Sequence, residues 1–285
     1  MILAAASVAG ALLFLWPFVL AGAPAPVASV SLALGSVAVL AAVETAARRL
    51  DARRFALLAA IAGIDTALRL VLVTGIGGFS PVFFLILASG YVFGPSFGFL
   101  CGTTSLLASA VGTGGIGPWL PYEMFGCGWM GLAAGAAGLR RRGAPGIADV
   151  AVLIVVSLVT GYVYGALLDV WDWTAFYRGT PGFGFLPGAP TPVLLGRFAR
   201  FYLATSATWD SFRAVGDAAA VAVLGAPVLA GLARLRGRLT FAVVPGSMAA
   251  SGGPAAAGTA APPESRPVAA SRGRLPGSPA GPPGS

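Results

Sequence analysis

The run from Ile147 to Asp169, IADVAVLIVVSLVTGYVYGALLD, decides the fold. Its only charges are Asp149 and Asp169, close to its two ends, and everything between them is apolar, small or hydroxylated. At 1.5 Å per residue such a run makes a helix about 35 Å long, enough to cover the roughly 30 Å hydrocarbon core of a bilayer. It predicts a membrane-spanning helix over 147–169.

The same test applied outward finds candidate spans at 2–20, 27–47, 55–74, 81–94, 97–113, 119–139 and 209–233. The spacing predicts an all-α, polytopic membrane helical bundle of about eight transmembrane helices. Residues 81–94 and 97–113 are short and are separated by Gly94-Pro95, which predicts either a tight turn or a broken helix. Composition agrees: 57% of residues are hydrophobic and 10% charged, against about a quarter charged in a soluble domain. Such a chain cannot cover its own surface with polar groups in water.

The chain has no histidine, which excludes His-centred catalytic triads, zincin motifs and His-ligated metals. All 18 cations are arginine, which excludes Schiff-base lysines and a P-loop. No nucleophile and base pair can be assembled, so the expectation is a protein that is not an enzyme and has no catalytic residue, cofactor or metal. Cys101 and Cys127 lie in apolar segments far from any CxxC spacing and read as small buried residues.

The net charge of +8 is a topology signal rather than a nucleic-acid surface, because the arginines fall in short clusters between apolar runs. Arg48, Arg49, Arg53 and Arg54, then Arg140 to Arg142, then Arg234, Arg236 and Arg238 all fall on one side of an eight-span path. The positive-inside rule makes that side cytoplasmic and puts both termini there, in the cell (plasma) membrane. Residues 1–22 read as a first span rather than a cleaved signal peptide, having no basic segment before the apolar run. Beyond Leu239 the chain becomes rich in Pro, Gly, Ala and Ser, and 241–285 reads as a disordered cytoplasmic tail.

Charges inside spans need a reason, since each costs at least about 2.5 kcal/mol on insertion scales. Asp65 and Arg69 are four apart on one helix, and Arg213 and Asp217 repeat the spacing on another. These are either neutralised ion pairs holding helices together or groups that reach a ligand cavity. Glu123 begins a helix, where a carboxylate is favourable, or else contacts a ligand. Asp169, Trp171, Asp172 and Trp173 end another, and Asp210 stands beside Trp209 at the start of the last. With Trp119 these residues place acids, arginines and tryptophans on the outer side, as either interfacial anchors or the walls of a small-molecule cavity. Small residues four apart, Ala38 and Ala42, Ala56 and Ala60, Ala59 and Gly63, mark faces of close helix approach.

The order of these pieces resembles a known family. Ala56-Leu-Leu-Ala-Ala60, Gly77-Gly78-Phe79-Ser80-Pro81, Val92-Phe93-Gly94-Pro95-Ser96-Phe97-Gly98, Gly114-Gly115-Ile116-Gly117-Pro118-Trp119-Leu120-Pro121, Arg140 to Arg142 and Arg234 to Arg238 follow one another as in a six-helix membrane core. The run from Phe55 to Arg238 resembles the substrate-binding S component of energy-coupling factor (ECF) transporters, in particular the actinobacterial members. The resemblance implies a six-helix substrate-binding core over 55–240; an N-terminal two-helix membrane extension over 1–54, which the family pattern does not cover, precedes it, and the tail over 241–285 follows. It implies capture of a vitamin-like small organic ligand from outside, with Trp119, Glu123, Asp169, Trp171, Trp173, Trp209 and Arg213 as cavity residues.

The partners implied are the lipid bilayer, a transmembrane coupling subunit and two cytoplasmic ATPase subunits, with no nucleic acid. The coupling subunit would meet Ala56, Ala60 and Gly63. Metal-specific relatives use an amino-terminal histidine, so an organic ligand is favoured here. The alternative is a non-transporting membrane scaffold or assembly protein.

Overall fold

Gly94 stands at φ 99°, on the side of the backbone map that a β-carbon disfavours, and Pro95 after it has no N–H to give to a preceding turn. One helix therefore ends at Phe93 and another starts at Pro95 and folds back on it, since a β-carbon at Gly98 would strike Gly90; of the two alternatives at Gly94-Pro95 the tight turn is the one found. The computed structural model describes residues 2–20, 26–48, 50–71, 80–141 and 143–239. The chain divides into two units, Met1–Phe241 and Ala242–Ser285; the second, with the expected tail and the Gly77 to Phe79 loop, lies outside the described residues.

The described residues are all-helical. The helices are α1 (Ile2–Val19), α2 (Pro26–Ala47), α3 (Ala52–Val71), α4 (Val82–Phe93), α5 (Pro95–Thr113), α6 (Leu120–Gly138), α7 (Ile147–Phe176), α8 (Thr191–Thr205) and α9 (Ala207–Leu239). Three of them, α5, α7 and α9, are long and apolar enough to cross a membrane, which is compatible with a membrane location. With 12 residues, α4 reaches only about 18 Å. An apolar ridge on α7, Val152, Val155, Val159 and Val163, is exposed, while Leu153 and Tyr164 on its other side are buried. A helix apolar on both faces suits a lipid-facing position better than a water-facing one.

The centre is a glycine seam. A β-carbon at Gly131 of α6 would strike the backbone of Gly98 on α5, and one at Gly90 of α4 would strike Gly131 in turn. Gly102 meets Cys127, Gly135 meets Gly94 and Pro95, and Gly138 meets Tyr91 with the same intolerance. Three helices thus touch backbone to backbone, the approach that small residues permit. On α7, Gly161 likewise meets the backbone of Ala214 on α9, and Gly165 makes room for the Asp210 side chain.

The first two helices pack on this core. Phe14 packs on Tyr122 and Trp129 with ring centroids 5.2 and 5.3 Å apart, Trp129 Nε1 donates to Ser7 Oγ at 3.0 Å, and Leu13 is fully buried against the space left at Gly35.

Residues 170–208 are more ordered than a long loop. α7 runs on to Phe176, and α8 is an amphipathic helix opened by proline, with Leu194 and Phe201 buried and Phe198 packed beside them. These close a second core around Trp173, Phe185 and Trp16. Arg197 ties the turn to α8 by donating to Gly184 O (2.6 Å) and Thr180 O (2.8 Å). Trp173→Ala should destabilise the protein by about 3–5 kcal/mol, the usual cost of emptying a large buried aromatic site. Trp173→Phe should cost far less, mainly the 2.7 Å hydrogen bond from Nε1 to Phe183 O. Thermal melts of the two variants in detergent check the order.

Candidate functional site

Asp65 and Arg69 lie one turn apart on α3, opposite Ser105 and Ser109, one turn apart on α5. The two rows bond rung to rung. Ser105 Oγ donates to Asp65 Oδ2 at 2.9 Å, and Arg69 Nη1 donates to Ser109 Oγ at 3.0 Å. Arg69 is therefore not the ion-pair partner of Asp65. Its Nη2 lies 3.8 Å from Glu123 Oε1 on the first turn of α6. The spacing of 65 and 69 fixed a shared helix face, but the helix opposite supplied the partners.

A second group forms between α7 and α9. Arg213 Nη1 donates to Asp210 Oδ1, one turn before it, and the guanidinium carbon lies 5.3 Å from the Tyr164 ring centroid. The ion pair expected between Arg213 and Asp217 is replaced by this one, and Asp217 is fully buried with neither oxygen hydrogen-bonded. Asp169 accepts from Ser206 Oγ at 2.8 Å. Gly165, one turn before Asp169 on α7, leaves the space the Asp210 carboxylate occupies. On α8 the Tyr202 hydroxyl has its pKa pushed above the ordinary tyrosine range, by burial first and then by the Asp210 carboxylate, so it keeps its proton.

Tyr164 joins the two groups. It lies within electrostatic reach of Cys127, Glu123, Arg69 and Arg213, and Gly126 on α6 leaves room for its ring. Four helices, α3, α6, α7 and α9, thus converge on one charged cluster at a single end of the bundle. Among the described residues, five buried carboxylate oxygens in this half of the protein have no hydrogen-bond donor: Asp65 Oδ1, Asp169 Oδ2, Asp210 Oδ2 and both of Asp217. A carboxylate oxygen buried without a donor is costly. The cluster combines guanidinium donors, unpartnered acceptors and an aromatic face, groups of the kind that fix a small molecule bearing both acidic and basic parts.

The structure brings Glu123, Asp169 and Arg213 into this cluster. Trp119 and Trp171 pair edge to face at 5.6 Å at the same end. Trp173 and Trp209 go elsewhere: Trp173 is fully enclosed in the second core, and Trp209 is 57% exposed beside the equally open Phe212. Ala56, Ala60 and Gly63 share an open face of α3, and a β-carbon at Gly63 would meet nothing within 4 Å. Tyr164, Ser206 and Cys127 were not singled out as site residues from sequence. The Gly161-x-x-x-Gly165 spacing around Tyr164 was the available signal, because it marks the face of α7 that touches α9. Among the described residues no group of three or more His, Cys, Asp or Glu side chains is placed to hold a metal ion.

No family model, no curated protein and no solved structure matches the chain.

Proposed function

We propose that this chain is the substrate-binding S component of an ECF-type importer, an eight-span membrane subunit with both termini in the cytoplasm. It captures a vitamin-like organic micronutrient from the extracellular side, and a coupling subunit with two ATPases powers uptake. The observation that carries the proposal is the convergence of Arg69, Glu123, Tyr164, Asp169, Asp210 and Arg213 from separate helices at the end that the arginine distribution places outside. A six-helix core of α3 to α7 and α9 holds every one of these residues. Glu123, Asp169 and Arg213 bind the polar part of the ligand, and Trp119 and Trp171 flank its planar or apolar part.

The open small-residue face of α3 is the surface for the coupling subunit. Ala60→Trp should abolish ATP-driven uptake in cells while ligand affinity of the purified protein stays within about twofold, since Ala60 is exposed. Equal loss of binding and uptake would remove Ala56, Ala60 and Gly63 from the docking role.

The pairing of Arg69 with Glu123 and of Arg213 with Asp210 within the fold favours the second reading, a non-transporting scaffold whose charges serve only to join helices. The two readings part on whether neutralising a pair costs ligand or only stability.

A further inference from the structure

At the opposite end of the bundle from the charged cluster lies a cavity of about 270 Å³, bounded by Tyr91, Gly94, Ser96, Gly138, Arg141 and Arg236 among others. Its walls come from the turn between α4 and α5, the end of α6 and the last turns of α9. We infer that this cavity binds a phosphate group, with Arg141 and Arg236 as its cationic walls.

Several of the acceptors near the cavity already hold a hydrogen-bond donor, which reduces their competition with an anion. Three of the carbonyls that end α4 and α6 are taken: Val92 O accepts from Arg236 Nη1 at 2.7 Å, Gly90 O from Gly94 N at 2.8 Å, and Gly138 O from Arg141 N at 3.1 Å. Asp149, the nearby acid, accepts from the Tyr91 hydroxyl and from Gly146 N, both at 2.7 Å, one on each oxygen.

The groups that favour an anion remain. Arg141 lines the cavity; its Nη1 donates to Gly143 O at 2.8 Å, and its Nε is buried with no hydrogen-bond acceptor among the described residues. An acceptor oxygen in the cavity satisfies that N–H, as carboxylate or phosphate oxygens do for guanidinium groups. α5 starts at the cavity edge with no side-chain cap on its first turn, so its positive end adds to the field. The volume lies just under the roughly 300 Å³ at which drug-sized pockets begin, which suits a phosphate and the small group bonded to it.

A phosphodiester of a lipid headgroup and free inorganic phosphate share this chemistry, and the test separates them. The purified full chain is titrated with dioleoyl phosphatidylglycerol and read by native mass spectrometry, and separately with inorganic phosphate, read by phosphorus NMR line broadening. Two variants accompany it. Arg141→Gln removes one guanidinium, and Ser96→Asp sets a negative charge at the exposed cavity edge while suiting a helix N-terminus, so that it folds. The expected result is saturable binding of one probe, weakened about tenfold or more in both variants, the effect of losing a charge-assisted hydrogen bond. Binding of phosphatidylglycerol alone names a lipid as the source, and binding of inorganic phosphate names a soluble one. Absence of binding by either probe, or equal affinity in wild type and Ser96→Asp, overturns the assignment.

Discussion

Gly131→Val leaves no folded bundle. The added side chain would enter space held by the Gly98 backbone on α5, and Gly90 of α4 lies on the same atoms, so no rotamer change relieves it. Overfilling a packed core ordinarily costs about 1–3 kcal/mol when side chains can yield. Here two helices must separate, and the loss should exceed that range. Gly63→Val is the matched control, because a β-carbon there meets nothing within 4 Å. Fluorescence-detected size exclusion in detergent should show a single peak for Gly63→Val and aggregate for Gly131→Val.

Arg213→Gln produces the second large effect, and it separates structure from function. Asp210 is 2% exposed and loses its only hydrogen-bonded cation among the described residues, which should cost about 3–5 kcal/mol as a buried charge left alone. The double variant Asp210→Asn with Arg213→Gln removes both charges and should regain most of that stability, the non-additivity expected of a contacting pair. Ligand affinity should not return with it. On the transport reading the double variant folds and binds at least about a hundredfold more weakly, equivalent to roughly 2.7 kcal/mol. A scaffold would regain stability and have no affinity to lose.

α7 was legible because its signal is local: an uninterrupted apolar run that starts at Ile147 in both sequence and structure. Its end was not. Leu-Leu-Asp-Val-Trp-Asp-Trp reads as a membrane boundary, yet the helix runs to Phe176 because α8 covers Trp173. α8 carries its own period, Leu194, Phe198 and Phe201, hidden among Gly196, Arg197 and Arg200.

The tryptophans show the limit best. Trp171 and Trp173 are two residues apart, so they point about 200° apart around the helix. One turns toward Trp119 and the other into the second core, and the choice depends on α8, which packs on Trp173 from outside the span. In the same way Asp65 and Arg69 were correctly put on one face. Their partners Ser105, Ser109 and Glu123 followed from which helices pack together, which no spacing within α3 encodes.

The most direct measurement is mass spectrometry of the protein purified without added ligand, denatured to release whatever it carries, beside the Asp210→Asn, Arg213→Gln double variant. The account predicts one small organic molecule with an ionisable group, near one per chain in the wild type and lost from the folded double variant. No such molecule in the wild type, together with a melting temperature that no vitamin in a broad panel raises, would contradict it.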